Sequence, residues 1–232
     1  MISLPLYVFS LLCYNRLMKI APPNISKELN KVTNLASSIT GDTKLNGILA
    51  RKQTLSGVVA KSLTIKDARL EQLTIINCEL RDCWLDDVVF SNCDISANKL
   101  PKLSVDRAVF KSTRLSGIQL HESVLKDVSF VDCKLDLANF RFAKLKNVLF
   151  DGCVLTEADF AGATFNNVSF VNCELDKADF SNALCTKLDL RGSSIVDVIG
   201  ISPLKGAIVS PEQLISIAPQ LAAEIGLVVE DR

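Results

Sequence analysis

The chain has very few histidine, tryptophan and methionine residues. Its 232 residues include one His, one Trp and two Met. The charges balance, with 26 Lys and Arg against 26 Asp and Glu, so the sequence lacks the basic excess that favours nucleic-acid binding. Only 10 Gly and 7 Pro are present, which excludes a collagen-like chain or a low-complexity linker. We therefore expect a globular protein without direct nucleic-acid binding.

Long hydrophobic runs are also absent. The most apolar N-terminal stretch, residues 2–14, is shorter than the about 20 residues that a membrane-spanning helix needs. Basic residues follow this stretch and none precedes it, the reverse of a signal peptide. The prediction is a cytoplasmic protein without a membrane partner. One alternative is that Met18 is the native start and that residues 1–17 are not part of the protein.

No group of residues suggests an active site. The one His, His121, has no catalytic partner in view, and neither a GxGxxG nor a GxxxxGK[ST] motif is present. Cysteines recur at a small position of the repeat described below, without a CxxC pair, which is typical of buried thiols rather than zinc ligands. These cysteines are Cys78, Cys83, Cys93, Cys133, Cys153 and Cys173. We predict a protein that is not an enzyme and has no cofactor and no metal.

What the sequence does have is a five-residue period. Every fifth residue from Leu70 to Leu190 is apolar, at 25 consecutive positions, and nine of the eleven Phe fall on them. On an α-helix these residues would spread around the cylinder, and on a flat strand they would alternate between faces. The period therefore predicts a coil with one short side and one corner in every five residues, which returns each fifth residue to a single interior.

Two neighbouring positions support this coil. Two residues before each large apolar residue, 20 of the 25 positions hold Ala, Cys, Val, Ser or Thr, as a narrow close-packed interior requires. Two residues after it, Asn, Asp and Gly are frequent, as expected of tight turns. Phe also recurs every 20 residues from Phe90 to Phe170, which indicates four sides per coil. We expect about 8 coils stacked about 4.8 Å apart, with Phe over Phe.

The triplets that end in Phe140, Phe160 and Phe180 resemble the A(D/N)(L/F)xx motif of pentapeptide-repeat proteins. The resemblance covers residues 45–197. It implies an all-β fold, a right-handed quadrilateral β-helix. Some pentapeptide-repeat proteins bind DNA gyrase or topoisomerase IV as acidic rods that resemble duplex DNA, and some form homodimers through a C-terminal cap.

The repeat divides the chain into three predicted parts. Residues 1–44 form an N-terminal arm or cap, residues 45–197 the β-helix, and residues 198–232 a helical C-terminal cap. Ser210, Pro211 and Gln213 predict a helix start, Pro219 an interruption, and Gly226 a C-cap. Such a cap covers the open end of the coil.

The outward positions suggest two surfaces. An apolar stripe crosses five coils, and we predict that it binds a protein partner or a second copy; it consists of Val89, Val109, Val131, Leu149 and Val171. An acidic face gathers in the last coils around Asp159, Glu174, Asp176 and Asp179. It would serve the alternative, a DNA mimic that modulates gyrase or topoisomerase, although the neutral total charge speaks against this. Our first hypothesis is a rigid interaction scaffold for a protein partner.

Overall fold

The five-residue period produces a coil because each fifth residue turns back to the same interior. The computed structural model describes residues 18–228. Every lattice residue from Leu70 to Leu190 is buried or lies half-buried against one continuous core. Residues 1–17, including the apolar stretch 2–14, lie outside the described residues.

The described residues form thirteen strands, two α-helices and one 3-10 turn. The strands are β1 (Asn30–Val32), β2 (Lys44–Arg51), β3 (Thr54–Ser56), β4 (Val59–Lys61), β5 (Thr64–Glu71), β6 (Thr74–Ile76), β7 (Glu79–Arg81), β8 (Trp84–Ser91), β9 (Ser104–Lys111), β10 (Val124–Val131), β11 (Lys144–Asp151), β12 (Thr164–Val171) and β13 (Leu184–Asp189). The helices are α1 (Leu35–Ser38) and α2 (Pro211–Glu224), and the 3-10 turn is Ser202–Leu204.

Each coil uses 20 residues, because parallel strands pair with a partner 20 residues further along the chain. Phe90 pairs with Phe110, and Phe110 with Phe130. The largest sheet has the order β1-β2-β5-β8-β9-β10-β11-β12-β13, and the smaller sheets are β3-β6 and β4-β7. Together they make about eight coils of a parallel β-helix, as the period predicted.

We number the four sides of the β-helix by their inward residues. In one coil, side 1 holds Leu85, side 2 Phe90, side 3 Ile95 and side 4 Leu100, and the same sides recur every 20 residues. The long strands β2, β5 and β8–β12 each pass along sides 1 and 2 and turn the corner between them.

The corners require a left-handed backbone. Two residues after an inward residue, φ is positive, for example 55° at Asp87, 53° at Asn92 and 54° at Asp127. Asn, Asp and Gly adopt this conformation at low cost, because Gly lacks a Cβ and the short polar side chains bond locally. This explains the preference for these residues that the sequence shows at the corner position.

The core is a set of side-chain stacks that run along the coil axis. On side 2 the ring centroids of Phe90, Phe110, Phe130, Phe150 and Phe170 follow one another at 4.8, 4.9, 4.8 and 4.7 Å. A second stack on side 4 consists of Phe140, Phe160 and Phe180 and meets the first edge to face. The predicted stacking of Phe over Phe is confirmed. The N-terminal half is filled by Leu and Ile and retains an apolar cavity of about 60 Å³.

The N-terminal residues form a strap and a short cap. Residues 18–26, which we call the strap, have no regular secondary structure and lie on the outside of the coils. β1 then pairs with β2, and the single turn of α1 places Leu35 over the first coil. The coils before residue 70 are regular, since Ala50 pairs with Leu70 and Ala60 with Leu80 in the same 20-residue register. The two small residues take inward positions there and are buried.

Helix α2 closes the C-terminal end. The side chains and amides of Ser210 and Gln213 form a reciprocal capping box, as the sequence predicted. The Gln213 Nε2 also donates to the carbonyl oxygens of Leu190 at 2.6 Å and Ser193 at 2.7 Å in the last coil. The expected interruption at Pro219 is wrong, since α2 continues through it to Glu224. Pro219 has no N–H, so the carbonyl oxygen of Ile215, one turn earlier, does not receive its usual helical hydrogen bond. Ile215 is exposed.

Candidate protein-interaction surfaces

The interior is occupied by apolar side chains and thiols. The Sγ atoms of Cys133, Cys153 and Cys173 each donate to the carbonyl oxygen of a Phe in the preceding coil, at 3.3 to 3.4 Å. Burial raises the pKa of the Cys153 and Cys93 thiols, which keeps them protonated. Among residues 18–228, no group of three or more His, Cys, Asp or Glu is placed to hold a metal ion. The candidate sites are therefore on the outside.

His121 is half-buried on side 4 in a shallow groove. The groove also contains Arg81, Lys99, Lys102 and Glu122, and the Lys102 ammonium lies 3.7 Å from the Glu122 carboxylate. These groups are charged in both senses and do not converge on one point, so the groove has none of the geometry of a nucleophile and its base.

The predicted apolar stripe lies on side 2, but it is not open to solvent. Val109 is 6% exposed, Val131 7%, Leu149 3% and Val171 9%, and Val89 is half-buried. Leu149 and Val171 form a small apolar cluster with Met18 and Ile20 of the strap. The expectation of an exposed stripe is thus wrong, and Met18 and Ile20 of the strap pack against its last two members, Leu149 and Val171.

The strap follows the corner between sides 1 and 2. Its main-chain amides donate to carboxylates on that corner: Ala21 N to Asp127 Oδ1 at 3.3 Å, and Asn24 N to Asp87 Oδ1 at 2.8 Å. Ser26 N donates to Asp67 Oδ1 at 2.7 Å. The strap therefore crosses successive coils from the C-terminal half of the rod towards its N-terminal end.

An ion-pair network fixes one of these carboxylates. The Arg107 Nε donates to Asp87 Oδ1 at 2.7 Å, and Arg107 also bonds Asp86. The Arg107 guanidinium and, to a smaller extent, the Asn24 amide hold the pKa of Asp87 below its usual value, although burial opposes the shift. Asp87 is therefore a charged acceptor for the strap across the physiological pH range.

The predicted acidic residues lie on two adjoining sides of the last coils. Glu174 and Asp176 are on side 3, and Asp159 and Asp179 are on side 4. The main chains of Asp159 and Asp179 pair as a parallel β-bridge between neighbouring coils. Part of this charge is used locally, because Asp159 lies 3.1 Å from Arg141 Nη1. The Oδ1 atoms of Asp159 and Asp179 also accept from the amides of Ala161 and Ser181.

A pair of large apolar residues lies beside this acidic face, and the sequence reasoning missed it. Leu137 and Phe142 stand at the two corners that flank side 4 and are 58% and 57% exposed. Their φ values are 58° and 56°, a conformation that is unfavourable for bulky side chains. The signal was present in the sequence, since Phe142 is one of only two Phe residues off the lattice.

The Phe142 ring is held in place by its neighbours. The Arg141 guanidinium carbon lies 5.6 Å from the centre of the ring. Gly162 of the next coil lies beneath the ring, and a Cβ at Gly162 would come within 2.5 Å of two ring carbons. We call Leu137, Arg141, Phe142, Glu157 and Asp159 the corner surface.

A second exposed apolar patch lies at the C-terminal end. Gln213 and Ile217 face the last coil, whereas Leu214 and Ile215 on the outer side of α2 are 50% and 75% exposed. Ile225, Leu227 and Val228 continue the patch beyond the helix, at 74%, 60% and 82% exposed. We call these five residues the cap patch.

Comparison with known proteins identifies the family. Residues 83–160 and 103–180 match the family model described as a pentapeptide repeat region. Residues 83–180 of this chain are a pentapeptide-repeat region. The resemblance that the Phe triplets suggested is confirmed, together with the quadrilateral β-helix that it implied. The comparison with curated proteins gave no match.

Solved structures of pentapeptide-repeat proteins are similar to this chain. A trypsin-treated variant of QnrB1, described as a plasmid-mediated fluoroquinolone resistance protein, is 18% identical, with 82% of this chain and 99% of that chain covered and a TM-score of 0.50. HetL, from the cyanobacterium Nostoc sp. strain PCC 7120 and described as involved in heterocyst differentiation regulation, is 20% identical over 74% and 91% of the two chains, with a TM-score of 0.32. At 18% identity, the likeness to QnrB1 shows the fold and not the function.

A pentapeptide-repeat protein from the thylakoid lumen of Arabidopsis thaliana is 23% identical over 40% of this chain and 65% of that chain, with a TM-score of 0.38.

Within residues 18–228, no helix has the length and apolar character needed to cross a membrane.

Proposed function

We propose that this pentapeptide-repeat protein is an interaction scaffold rather than an enzyme, and that a protein partner binds the corner surface. The observation that carries the proposal is the left-handed backbone at Leu137 and Phe142. An L-residue pays about 1–2 kcal/mol in this conformation, and bulky side chains gain nothing there from burial in the core. The fold is served better by Asn or Gly at both corners, so the two side chains point to a role outside folding.

The charges around the pair indicate the kind of partner. Glu157 and Asp159 lie in the next coil beside Leu137 and Phe142, and Glu174, Asp176 and Asp179 follow in the coil after that. An apolar centre with an acidic surround favours a protein that presents an apolar side chain ringed by Lys or Arg. Arg141, which is held against both Phe142 and Asp159, keeps the centre of the surface rigid.

The test is a paired substitution that removes the surface without harming the coil. Leu137→Asn with Phe142→Asn should keep or raise the melting temperature, because Asn accepts positive φ, and should abolish retention of the partner from a lysate of the source organism. Lys187→Asn is the matched control, since Lys187 is exposed at another corner with a φ of 58°. Retention that survives the double substitution would rule the proposal out.

The acidic face supports a second candidate, a DNA mimic that acts on gyrase or topoisomerase. Sides 3 and 4 of the last coils carry seven carboxylates against three cations over about 14 Å of axis, where duplex DNA carries about eight charges. The carboxylates are those of Asp136, Glu157, Asp159, Glu174, Asp176, Asp179 and Asp197, and the cations are Lys134, Arg141 and Lys177. The net density is about half that of DNA, and it is confined to one end of the rod.

A gyrase supercoiling assay separates the two candidates. The mimic predicts inhibition by the purified protein, relieved by Glu157→Lys with Glu174→Lys. The scaffold hypothesis predicts no effect on supercoiling while the partner is still retained through Leu137 and Phe142.

We also propose a homodimer through the cap patch, the option that the sequence left open for the C-terminal cap. The outer side of α2 and residues 225–228 together expose five large apolar side chains, and exposed apolar patches are typical of interfaces. For the compartment we propose the cytoplasm, because all seven cysteines among residues 18–228 are free thiols, as a reducing environment favours.

A further inference from the structure

The strap lies in a track that is suited to extended main chain. The track consists of the corner between sides 1 and 2 and the adjoining outer surface of side 2. Along the corner, Asp67, Asp87 and Asp127 present carboxylates from three different coils. Beside them, Leu149 and Val171 supply an apolar floor.

Recognition in this track is of peptide amides rather than of particular side chains. The three polar contacts run from main-chain N–H groups to side-chain carboxylates, at 3.3 Å for Ala21, 2.8 Å for Asn24 and 2.7 Å for Ser26. Ser26 adds one side-chain bond from its Oγ to Asp67. Every residue except Pro carries the amide that these carboxylates bind, so another segment of chain can make the same contacts.

The track also accounts for the two prolines of the strap. Between the coils of Asp127 and Asp87, the corner residue is Arg107, a donor that is already bonded to Asp87. The strap residues between the bonded amides are Pro22 and Pro23, which have no N–H to satisfy. A polyproline II segment rises about 3.1 Å per residue, so the step from Ala21 to Asn24 spans about 9 Å. Two coil spacings are about 9.6 Å, which matches this step.

The strap is held at few points. Met18 and Ile20 are its only buried side chains, whereas Ala21, Pro22, Asn24 and Ser26 are exposed. The β-helix closes its own ladder of hydrogen bonds from coil to coil without the strap. Segments with so few buried contacts open locally while the rest of the molecule stays folded.

We propose that this track is a peptide-binding site for a partner protein, and that the strap is an intramolecular occupant that competes for it. The partner segment is extended, contains proline at the positions that face Arg107, and places aliphatic side chains on Leu149 and Val171. The track shares no residue with the corner surface, so this proposal stands independently of the proposed function of that surface.

The test uses the full chain with the strap weakened and the track intact. In the Met18→Ser, Ile20→Ser variant, a fluorescent synthetic peptide of residues 18–28 (MKIAPPNISKE) should bind about tenfold more tightly than in the wild type, as measured by fluorescence anisotropy. Adding Asp67→Gly and Asp127→Gly to that variant should weaken the binding by about tenfold or more, because two of the three amide acceptors are lost.

The matched control adds Asp82→Gly and Asp132→Gly instead. These two aspartates stand at other corners with φ of 49° and 53°, so the backbone change is the same and the track is untouched. The peptide should bind this control as tightly as the parent variant. The proposal is overturned if the folded strap variant does not bind the peptide, or if the track and control substitutions have the same effect.

Hydrogen exchange of the wild type decides the matter if the strap variant does not fold. The amides of Ala21, Asn24 and Ser26 should exchange about 100-fold faster than the Phe130 amide in β10, through local opening. Equal exchange rates would mean that the strap leaves only when the whole molecule unfolds, and the track would then not be available to a partner.

Discussion

At the scale of single residues, the five positions of the repeat have different structural roles. Inward residues such as Phe150 build the core, corner residues such as Asp87 turn the backbone, and the remaining outward residues are free to vary. Phe150 is fully buried between Phe130 at 4.8 Å and Phe170 at 4.7 Å. Leu137 depends on none of this packing and is 58% exposed. The residues that stabilise the core are thus distinct from those that we propose bind a partner.

The core assignment predicts a large loss of stability from one substitution. Phe150→Ala should lower the free energy of unfolding by about 3–5 kcal/mol, because it removes a ring from the middle of the stack and leaves a cavity. Phe142→Ala serves as the control and should change it by less than about 0.5 kcal/mol. Urea unfolding followed by circular dichroism measures both, and equal effects of the two substitutions would contradict the stacked core.

The lowered pKa of Asp87 predicts a pH dependence of stability. Because the pKa is lower in the folded state, ionised Asp87 stabilises the protein above the pKa of an unfolded Asp, about 3.9. This contribution is lost as the pH falls through the folded-state pKa. The melting temperature of Asp87→Asn should therefore fall less steeply than that of the wild type between about pH 4 and pH 2.

The control for this measurement is Asp82→Asn at a corner without Arg107. Its melting temperature should follow the wild-type curve. Parallel curves for wild type and Asp87→Asn would show that the contact with Arg107 does not contribute.

At the scale of elements, the molecule consists of a regular coil and two irregular ends that close it. The coil is held by parallel pairing in which each strand has the same partner 20 residues away. The ends follow other rules: α2 caps the last coil through Gln213, and the strap runs along the outside. Helix α2 exposes apolar side chains to solvent, and the strap packs apolar side chains on the outside of the coils. At both ends these contacts are candidates for exchange with contacts to another protein.

The cap patch predicts self-association. The wild type should sediment as a dimer at micromolar concentration, and Leu214→Glu with Ile215→Glu should convert it to a monomer, because two charges per copy would then face each other. Val124→Glu is the control, since Val124 is 44% exposed on side 1, away from the cap. Sedimentation velocity measures the state, and a wild type that is monomeric at every concentration would end this proposal.

The repeat was predictable from the sequence because its physics is local and periodic. An apolar residue at every fifth position from Leu70 onward has one good solution, so the coil, its 20-residue turn and the Phe stack followed directly. The helix start at Ser210 was predictable for the same reason, since capping depends on four adjacent residues.

The surfaces were less predictable, because they depend on contacts between distant parts of the chain. Val109 and Val131 are outward by their position in the repeat, and nothing local shows that residues 18–26 lie on that side. Continuation of α2 through Pro219 likewise depends on the last coil, against which the helix packs. Leu137 and Phe142 occupy corners that ordinary turn preferences assign to Asn or Gly; the position of Phe142 off the lattice was the signal for this pair in the sequence, and the backbone then showed both side chains exposed.

At the scale of the whole molecule, the rod presents different chemistry at diagonally opposite corners. One corner carries the strap on Asp67, Asp87 and Asp127. The other carries Leu137 beside the acidic face of the last coils. Several cations of the N-terminal half are paired with carboxylates of the coils, as in Lys66 with Asp86 and Arg51 with Glu71. A rigid rod whose sides differ in charge and apolar character can hold a partner in one orientation, as a scaffold must.

The central claim is that a partner protein docks at the corner surface. The most direct measurement places a photo-crosslinking amino acid at single outward positions around one coil of the full-length protein in cells of the source organism. Positions 137 and 142 should yield the same crosslinked partner, whereas positions 126 and 132 on the other sides of that coil should not crosslink that partner. Crosslinks of equal strength from all four positions, or from 126 and 132 alone, would contradict the account.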